Sequence, residues 1–318
     1  MRLLKLMSDG GFHSGESLGK ELGISRAAVC KQIHKWELRG QSFDIVPGRG
    51  YRWRSPIEWW SEAALLAVMP PSTRSIVSRL HIDETAGSTN TLAMEFLARE
   101  QRPGAVFIAE EQTAGRGRRG RQWLAPLGMG FYASLTWVFD DGVSALQGLS
   151  LAVGLAVASA LARYGVKGVG LKWPNDIMVG DAKLGGVLIE MQMDGDGRCL
   201  VVIGVGLNLA ACPLLGGLQR EVAVVEDSLD GQLLERNRIG GMVLGDILAL
   251  LADYGPGSFA ALRSKWCELD VLQGRHVVVE GGGVSGIGRG VDAQGALQID
   301  VGGEIRTVNS GEVSLRLA

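Results

Sequence analysis

Four arginines, Arg116, Arg118, Arg119 and Arg121, fall within six positions and alternate with Gly115, Gly117 and Gly120 in the stretch EQTAGRGRRGRQW at 111–123. Guanidinium forks and unhindered backbone N–H groups in one short loop suit phosphate or another anion. The glycines lower the loop's intrinsic order, so it is expected to be mobile until an anion arrives. An RG-rich stretch also serves nonspecific RNA contact. This one follows an apolar strand and ends at Trp123, the setting of a loop hung on a folded domain. Further along, Lys172 and Lys183 stand eleven positions apart across a turn-rich connector, which predicts facing strands with a cation each. The segment Gly204-Val-Gly206-Leu-Asn208 demands close backbone approach but lacks the third glycine and the helix opening of a dinucleotide fingerprint. No GxxxxGK[ST] or GxSxG occurs and the four histidines are scattered, which excludes a P-loop and the common hydrolase constellations.

The elements that must position these residues fall into three rhythms. Residues 16–39 read as two short helices split by Gly23-Ile24, with Ser25 placed to cap the second. That is helix-turn-helix spacing. In the second helix Ile24, Ala28, Val29, Ile33 and Trp36 share one face and leave Arg26, Lys31 and Lys35 to point outward, a face that a major groove would accept. Phe43-Asp-Ile-Val, Pro47-Gly-Arg-Gly and Tyr51-Arg-Trp-Arg then read as strand, tight turn and strand, as in the wing of a winged helix. A small basic helical domain that binds protein is the competing reading. From about residue 57 to 266 apolar strands alternate with helical stretches, an α/β pattern with strands expected at 106–110, 131–137, 168–172, 184–192 and 200–207. After Leu269 short strands at 277–280, 285–291, 296–301 and 305–309 separated by glycine turns predict a small β-barrel.

A chain of 318 residues exceeds what one core usually organises, so two or three domains are expected. The net charge of −2 is unevenly spread: residues 1–55 carry ten Lys and Arg against five Asp and Glu, leaving −7 on the remainder. A basic head on an acidic body points to nucleic acid at one end. Cys30, Cys199, Cys212 and Cys267 form no CxxC pair, so neither a zinc site nor a disulfide framework is suggested and a reducing cytoplasm fits. The apolar run at residues 1–7 breaks at Ser8-Asp9-Gly10, too short for a secretory leader. The uncharged run at 142–162 is long enough to span a bilayer, but it is rich in Ala, Gly and Ser and reads better as a buried helix.

In chain order, Gly87-Ser-Thr-Asn90, Glu111-Gln-Thr-Ala-Gly-Arg-Gly-Arg-Arg-Gly-Arg121, Lys172-Trp-Pro-Asn-Asp176, Lys183-Leu-Gly-Gly186 and Gly204-Val-Gly-Leu-Asn208 resemble the motif set of the biotin protein ligases. Ile24-Ser-Arg-Ala-Ala-Val29 and Pro47-Gly-Arg-Gly-Tyr51 are similar to the bifunctional subgroup, in which the ligase is also the repressor of the biotin operon. Gly286-Ile-Gly-Arg-Gly290, Asp292-Ala-Gln-Gly-Ala-Leu297 and Ser310-Gly-Glu-Val-Ser-Leu-Arg316 carry the likeness to the C-terminus.

The resemblance implies an α/β (α+β) chain of three domains: a winged helix-turn-helix at 1–60, a mixed-sheet catalytic domain at 61–268 similar to class II aminoacyl-tRNA synthetases, and an SH3-like β-barrel at 269–318. It implies a cytoplasmic enzyme that uses ATP to convert biotin to biotinyl-5'-AMP, releases pyrophosphate, and passes biotin to a lysine of the biotin carboxyl carrier protein of acetyl-CoA carboxylase. It further implies that biotinyl-5'-AMP favours a homodimer and so pairs two DNA-binding domains on the biotin operator.

Carried onto this chain, the family pattern assigns catalysis to Lys183, Arg116 and Arg118, with Mg²⁺ helping to neutralise the phosphates. Biotin falls to Ser88, Thr89, Asn90 and Gln112, to Arg116, Gly117 and Arg118, and to Lys183 and Gly186. The nucleotide falls to Arg118, Arg119, Arg121 and Trp123, with Lys172, Asn175, Asp176 and Asn208. Lys172 and Asp176 are also candidates to guide the incoming amine. DNA contact falls to Ser25, Arg26, Lys31, Lys35 and Arg49, with phosphate contact expected of the lysines.

The chain departs from the family in having no aromatic residue between Leu209 and Glu235 to stack on adenine, and in carrying Val225-Glu-Asp-Ser-Leu229 at one border of the nucleotide pocket. A ligase without repressor activity, a ligase for lipoate or another acyl acid, and a DNA-binding sensor of a biotin-like ligand stay open at this point.

Overall fold

The structure is a computed structural model that describes residues 1–212, 214, 221–280, 283–309 and 314–317. Positions 310–313 of the last motif lie outside the described residues. Met1–Trp59 make up most of one compact unit, and a second begins at Trp60.

The first unit runs α1 (Arg2–Leu6), α2 (Gly15–Leu22), α3 (Arg26–Glu37), β1 (Phe43–Val46) and β2 (Gly50–Trp53). The apolar run at residues 1–7 is thus a helix, with Leu3, Leu4 and Met7 buried. Ser14 and Ser25 accept from the backbone N–H of Ser17 and Ala28 and start α2 and α3 by satisfying an otherwise orphaned donor. Val29, Ile33 and Trp36 are buried at helical spacing while Arg26, Lys31 and Lys35 are exposed, as their pattern predicts. A Cβ on Gly19 would lie 2.7 Å from the Ile24 carbonyl oxygen, so the α2–α3 turn is closer than any side chain allows. The antiparallel pair β1–β2 closes through Pro47-Gly48-Arg49, where Gly48 takes φ +77.

The second unit continues with α4 (Glu62–Val68), α5 (Pro71–Arg74), β3 (Arg79–Asp83), α6 (Thr89–Glu100), β4 (Ala105–Ala109), β5 (Gly130–Phe139) and α7 (Leu149–Tyr164). Then follow β6 (Val169–Lys172), β7 (Asp176–Val179), β8 (Ala182–Met193), β9 (Cys199–Asn208), α8 (Arg236–Ala252) and α9 (Ser258–Glu268). Seven strands form one mixed sheet in the order β3-β4-β5-β9-β8-β7-β6, with β3–β4 parallel and the other pairs antiparallel.

Strand periodicity divides the core between the sheet's two faces. Val201, Ile203, Val205 and Leu207 join the large cluster that includes α7 and α8, while Leu200 and Val202 pack with Ala93, Phe96 and Leu97 of α6. The uncharged run expected as one helix is broken: Gly142–Leu146 is a 3₁₀ turn, Gly148 takes φ +69, and α7 starts at Leu149. The run is mostly buried in this core, which is why it is so apolar. The connector between the two lysines holds β7, so Lys172 and Lys183 lie on β6 and β8 with a strand between them, not on facing strands.

A buried ion pair fixes the entry to this unit. Arg236 donates to Glu110 Oε2 at 2.8 Å, the other carboxylate oxygen accepts from the Trp60 N–H at 2.7 Å, and the guanidinium lies 4.3 Å from the Trp60 ring centroid. At its other end, β10 (His276–Glu280), β11 (Ser285–Val291), β12 (Leu297–Val301), β13 (Glu304–Val308) and β14 (Ser314–Leu317) form an antiparallel sheet in the order β13-β12-β11-β10-β14. Val277, Val291, Leu297 and Ile299 share the large core, and the Trp173 indole donates to the Gly295 carbonyl at 3.0 Å.

Candidate active site

The cavity is built where strand side chains shrink. On β9 the face that carries Leu200 and Val202 continues as Gly204 and Gly206. Their cross-strand partners set the floor: Gly204 lies between Ser134 of β5 and Leu188 of β8, and Gly206 between Tyr132 and Gly186. Added Cβ atoms would meet Asn90 Oδ1 at 2.2 Å from position 204 and the Trp123 ring at 2.8 Å from position 206. The glycine pair therefore exists so that α6 and the arginine loop can rest directly on the sheet. The cleft so formed encloses about 1030 Å³ including its open mouth.

One side of the cleft is neutral and polar. Ser88 precedes α6 without a side-chain capping bond; the Gln112 Oε1 takes that place, accepting from the Thr89 N–H at 2.8 Å and the Thr89 hydroxyl at 3.1 Å. Ser134 is within hydrogen-bond distance of Thr89 Oγ1 at 2.7 Å and Asn90 Oδ1 at 2.6 Å, and its single proton serves one of them at a time. The side chains of Ser88, Thr89 and Asn90 are nine-tenths buried or more. Buried polar groups of this kind recognise a neutral polar ligand by hydrogen bonds rather than by charge.

The other side is cationic. Arg118, Arg119, Arg121, Lys172 and Lys183 line it with one carboxylate, Asp176, while Arg116, which also lines the cleft, is held on the polar side by Thr91 and Glu190. Lys183 is paired with Asp176, its Nζ also lies 5.7 Å from the Trp123 ring centroid, and the bare face of Gly186 is beside the pair. Burial lowers the Arg118 guanidinium below its ordinary value, with Asp176 opposing and the charges of Arg119 and Arg121 adding to the depression. Like charges held together and partly desolvated favour an anion that relieves both costs. The loop closes on itself: the Gly117 N–H donates to the Arg121 carbonyl at 2.7 Å, and Arg119 takes φ 59, a left-handed conformation uncommon for a side chain of its size. Its arms are tied by bridges between Gln112 and Ala125 and between Arg116 and Gln122. The loop expected to wait for an anion thus has backbone pairing of its own.

The cleft gathers nearly every residue assigned to biotin or nucleotide. Gly117, Trp123, Asn175 and Gly186 line it with those already named, and Asn175 also donates to the Val187 carbonyl at 2.8 Å. Asn208 is not among the lining residues. Its amide donates to the carbonyls of Lys183 at 3.4 Å and Ala223 at 3.3 Å, and so ties the chain after β9 to β8. The Arg116 guanidinium is directed to Thr91 and Glu190. Glu190, Thr91 and Ser134 escaped the sequence reading; the signal available for Glu190 was its alternation with Gly186 and Leu188 on one strand face.

Of the residues assigned to DNA, all lie in the first unit. Ser25 caps α3, the side chains of Arg26, Lys31 and Lys35 are exposed, and Arg49 stacks on Phe12 at 4.3 Å with Arg52 at 4.9 Å.

No three His, Cys, Asp or Glu side chains gather at a metal position among the described residues, and the one carboxylate lining the cleft is engaged by Lys183. Mg²⁺ is held by carboxylates and phosphate oxygens. Asp176 is thus the one carboxylate among the described lining residues that could share the ion with phosphate oxygens.

Residues 84–208 match the Biotin/lipoate A/B protein ligase family and residues 273–316 match the Biotin protein ligase C terminal domain. The chain is similar to the Bifunctional ligase/repressor BirA of Escherichia coli, with 34% identity over 100% of this chain and 97% of that protein. It is 35% identical to the Biotin--[acetyl-CoA-carboxylase] ligase of Mycobacterium tuberculosis over 74% of this chain and 88% of that one. Among solved structures, the biotin protein ligase from Aquifex aeolicus in complex with biotin and ATP aligns with a TM-score of 0.66 and 26% identity, covering 76% of this chain and 100% of that chain.

Proposed function

The chain belongs to the biotin protein ligase family and is a ligase, and from that premise we propose that it activates biotin with ATP and passes it to a lysine of a biotin carboxyl carrier protein. The observation that carries this reading is the division of one cleft into a neutral polar side and a side of five cations, Arg118, Arg119, Arg121, Lys172 and Lys183. Biotin presents the same division, a neutral ureido ring at one end and a carboxylate at the other. The polar groups of Ser88, Thr89 and Gln112 suit the ring. The cations of the loop and Lys183 bring the carboxylate and the triphosphate together against their repulsion.

In the first half-reaction a carboxylate oxygen attacks the α-phosphorus, the bond to the bridging oxygen breaks, and pyrophosphate leaves with the electron pair. Arg118, Arg119 and Arg121 stabilise the charge that builds on the phosphates, and Lys183 holds the carboxylate at the attacking position. The magnesium ion expected from the resemblance would enter with the nucleotide, and none of these roles depends on it. In the second half-reaction a lysine amine attacks the acyl carbon of the mixed anhydride, loses a proton, and releases AMP. The anhydride is already activated, so the protein's task is to exclude water and orient the amine, with Lys172 and Asp176 at the cleft edge beside the loop.

Biotin-dependent exchange of pyrophosphate into ATP tests the reading. Exchange with biotin at least a hundredfold more efficient than with lipoate or octanoate is the expected result, and equal or greater exchange with lipoate overturns it.

The first unit extends the proposal to transcription. Three helices and a hairpin, with Arg26, Lys31 and Lys35 exposed on α3, suit a winged helix whose α3 enters a major groove of the biotin operator. The C-terminal strands are read as the SH3-like domain of the family. Biotinyl-5'-AMP is the proposed corepressor: by completing the arginine loop it favours a homodimer that pairs two such helices in the cytoplasm. A biotin-operator mobility shift that is the same with and without biotin plus ATP would remove this coupling while leaving the ligase intact.

A further inference from the structure

We infer that Glu190 is a positioning residue that acts through Arg116 to hold the arginine loop over the cleft; the inference rests on the biotin-activating reading above. Arg116 Nη2 donates to both Glu190 oxygens, at 3.1 and 3.0 Å, and Nη1 donates to the Thr91 hydroxyl at 2.7 Å. Glu190 Oε2 also accepts from Asn90 Nδ2 at 2.6 Å, and Asn90 Oδ1 lies 2.6 Å from the Ser134 hydroxyl. One guanidinium thus joins the first arm of the loop to the first turn of α6 and to β8. Asn90 can take part only because position 204 has no side chain.

Charge and exposure say what this arrangement is for. The pair is about 43% and 34% exposed, and a half-exposed ion pair contributes little to fold stability. Its planar, multiply bonded geometry instead fixes a direction. Glu190 also offsets the charge of Arg116, so phosphates face the cations further round the loop, Arg118, Arg119 and Arg121. A loop anchored in this way keeps water from the mixed anhydride until the acceptor amine arrives.

The test measures pyrophosphate released per acceptor lysine biotinylated, in the full chain with ATP, biotin and carrier protein, alongside each variant's melting temperature. Glu190→Ala is expected to raise that ratio at least fivefold, because the unanchored loop loses adenylate to water. Glu190→Gln keeps an acceptor for both neighbours and is expected to fall between wild type and Glu190→Ala. Arg116→Ala, which also gives up the Thr91 bond, is expected to raise the ratio at least as much as Glu190→Ala, and the double variant to be no worse than Arg116→Ala, since the two residues share one contact. An unchanged ratio in folded Glu190→Ala, or single effects that multiply in the double variant, overturns the inference. Should Glu190→Ala not fold, Glu190→Gln, Arg116→Gln and their double variant make the same comparison. Wild-type protein without biotin-dependent exchange would instead sink the underlying reading, whereas normal wild-type exchange with unchanged variants removes only the role of Glu190.

Discussion

Lys183 meets the cleft already paired with Asp176, at the bare face of Gly186. A carboxylate substrate would share that cation, so replacing it removes charge stabilisation at the reacting atoms. Lys183→Met is expected to lower kcat/KM for biotin-dependent exchange about 10²–10³-fold, roughly 3–4 kcal/mol, with little change in melting temperature. A loss under tenfold would remove Lys183 from the chemistry. Gly206 offers a steric test, because a methyl there would lie 2.8 Å from the Trp123 ring. Gly206→Ala is expected to cost about 1–3 kcal/mol in urea unfolding and to raise KM for biotin more than tenfold as the indole is pushed from the cleft. The cations and glycines of this site were legible in the sequence because their types are unusual for a loop and a strand. Glu190 was not, because nothing in its own neighbourhood announces that Arg116, distant in sequence, would be its partner.

At the scale of elements, the salt bridge between Glu110 at the end of β4 and Arg236 at the start of α8 sits in the core, with both side chains about 3% exposed. Removing one partner leaves a buried charge uncompensated, so Arg236→Met is expected to cost about 3–5 kcal/mol, read as a lower urea midpoint at unchanged m-value. A cost under 1 kcal/mol would mean that the pair is dispensable. In the first unit, α3 presents Lys31 and Lys35 to solvent. If they contact operator phosphates, each Lys→Ala change lowers the slope of log affinity against log salt by about 1 and weakens binding uniformly across sequences. An unchanged slope would assign α3 to a protein partner instead.

For the whole molecule, Asp270 sets a pH dependence. It lies between α9 and the C-terminal sheet; burial pushes its carboxyl from 3.8 up to about 6, although the Leu272 N–H bonds to Oδ1, and Oδ2 has no hydrogen-bond partner among the described residues. An acid raised in this way favours the folded state only while protonated there. Its contribution is therefore lost as pH climbs from about 4 to about 6 and stays lost above, a change of about 3 kcal/mol at most for a shift of about two units. The stability difference between Asp270→Asn and wild type is expected to grow in the variant's favour across that window. A difference that does not vary with pH would mean that Asp270 titrates normally. The proposed coupling of ligand to assembly also belongs to this scale: sedimentation with biotin and ATP is expected to show a dimer that neither substrate alone produces.

The sequence by itself determined the elements whose signals are local. The split of α2 from α3, the Ser25 cap and apolar spacing of α3, five of the seven strands of the mixed sheet, the arginine loop and the order of the motifs all rest on residues near one another in the chain. Tertiary structure decided what local signals cannot carry. It placed β7 between Lys172 and Lys183, broke the long apolar run at Gly148, gave the capping of α6 to Gln112, and turned the Asn208 amide toward Lys183 and Ala223. Each depends on segments distant in the chain that the fold brings together, β7 by strand pairing and Gly148 by its close approach to Phe259 of α9. For the same reason the arginine loop showed its charge in the sequence, whereas the contacts of Glu190 with Asn90 and Arg116 arise only in the folded chain.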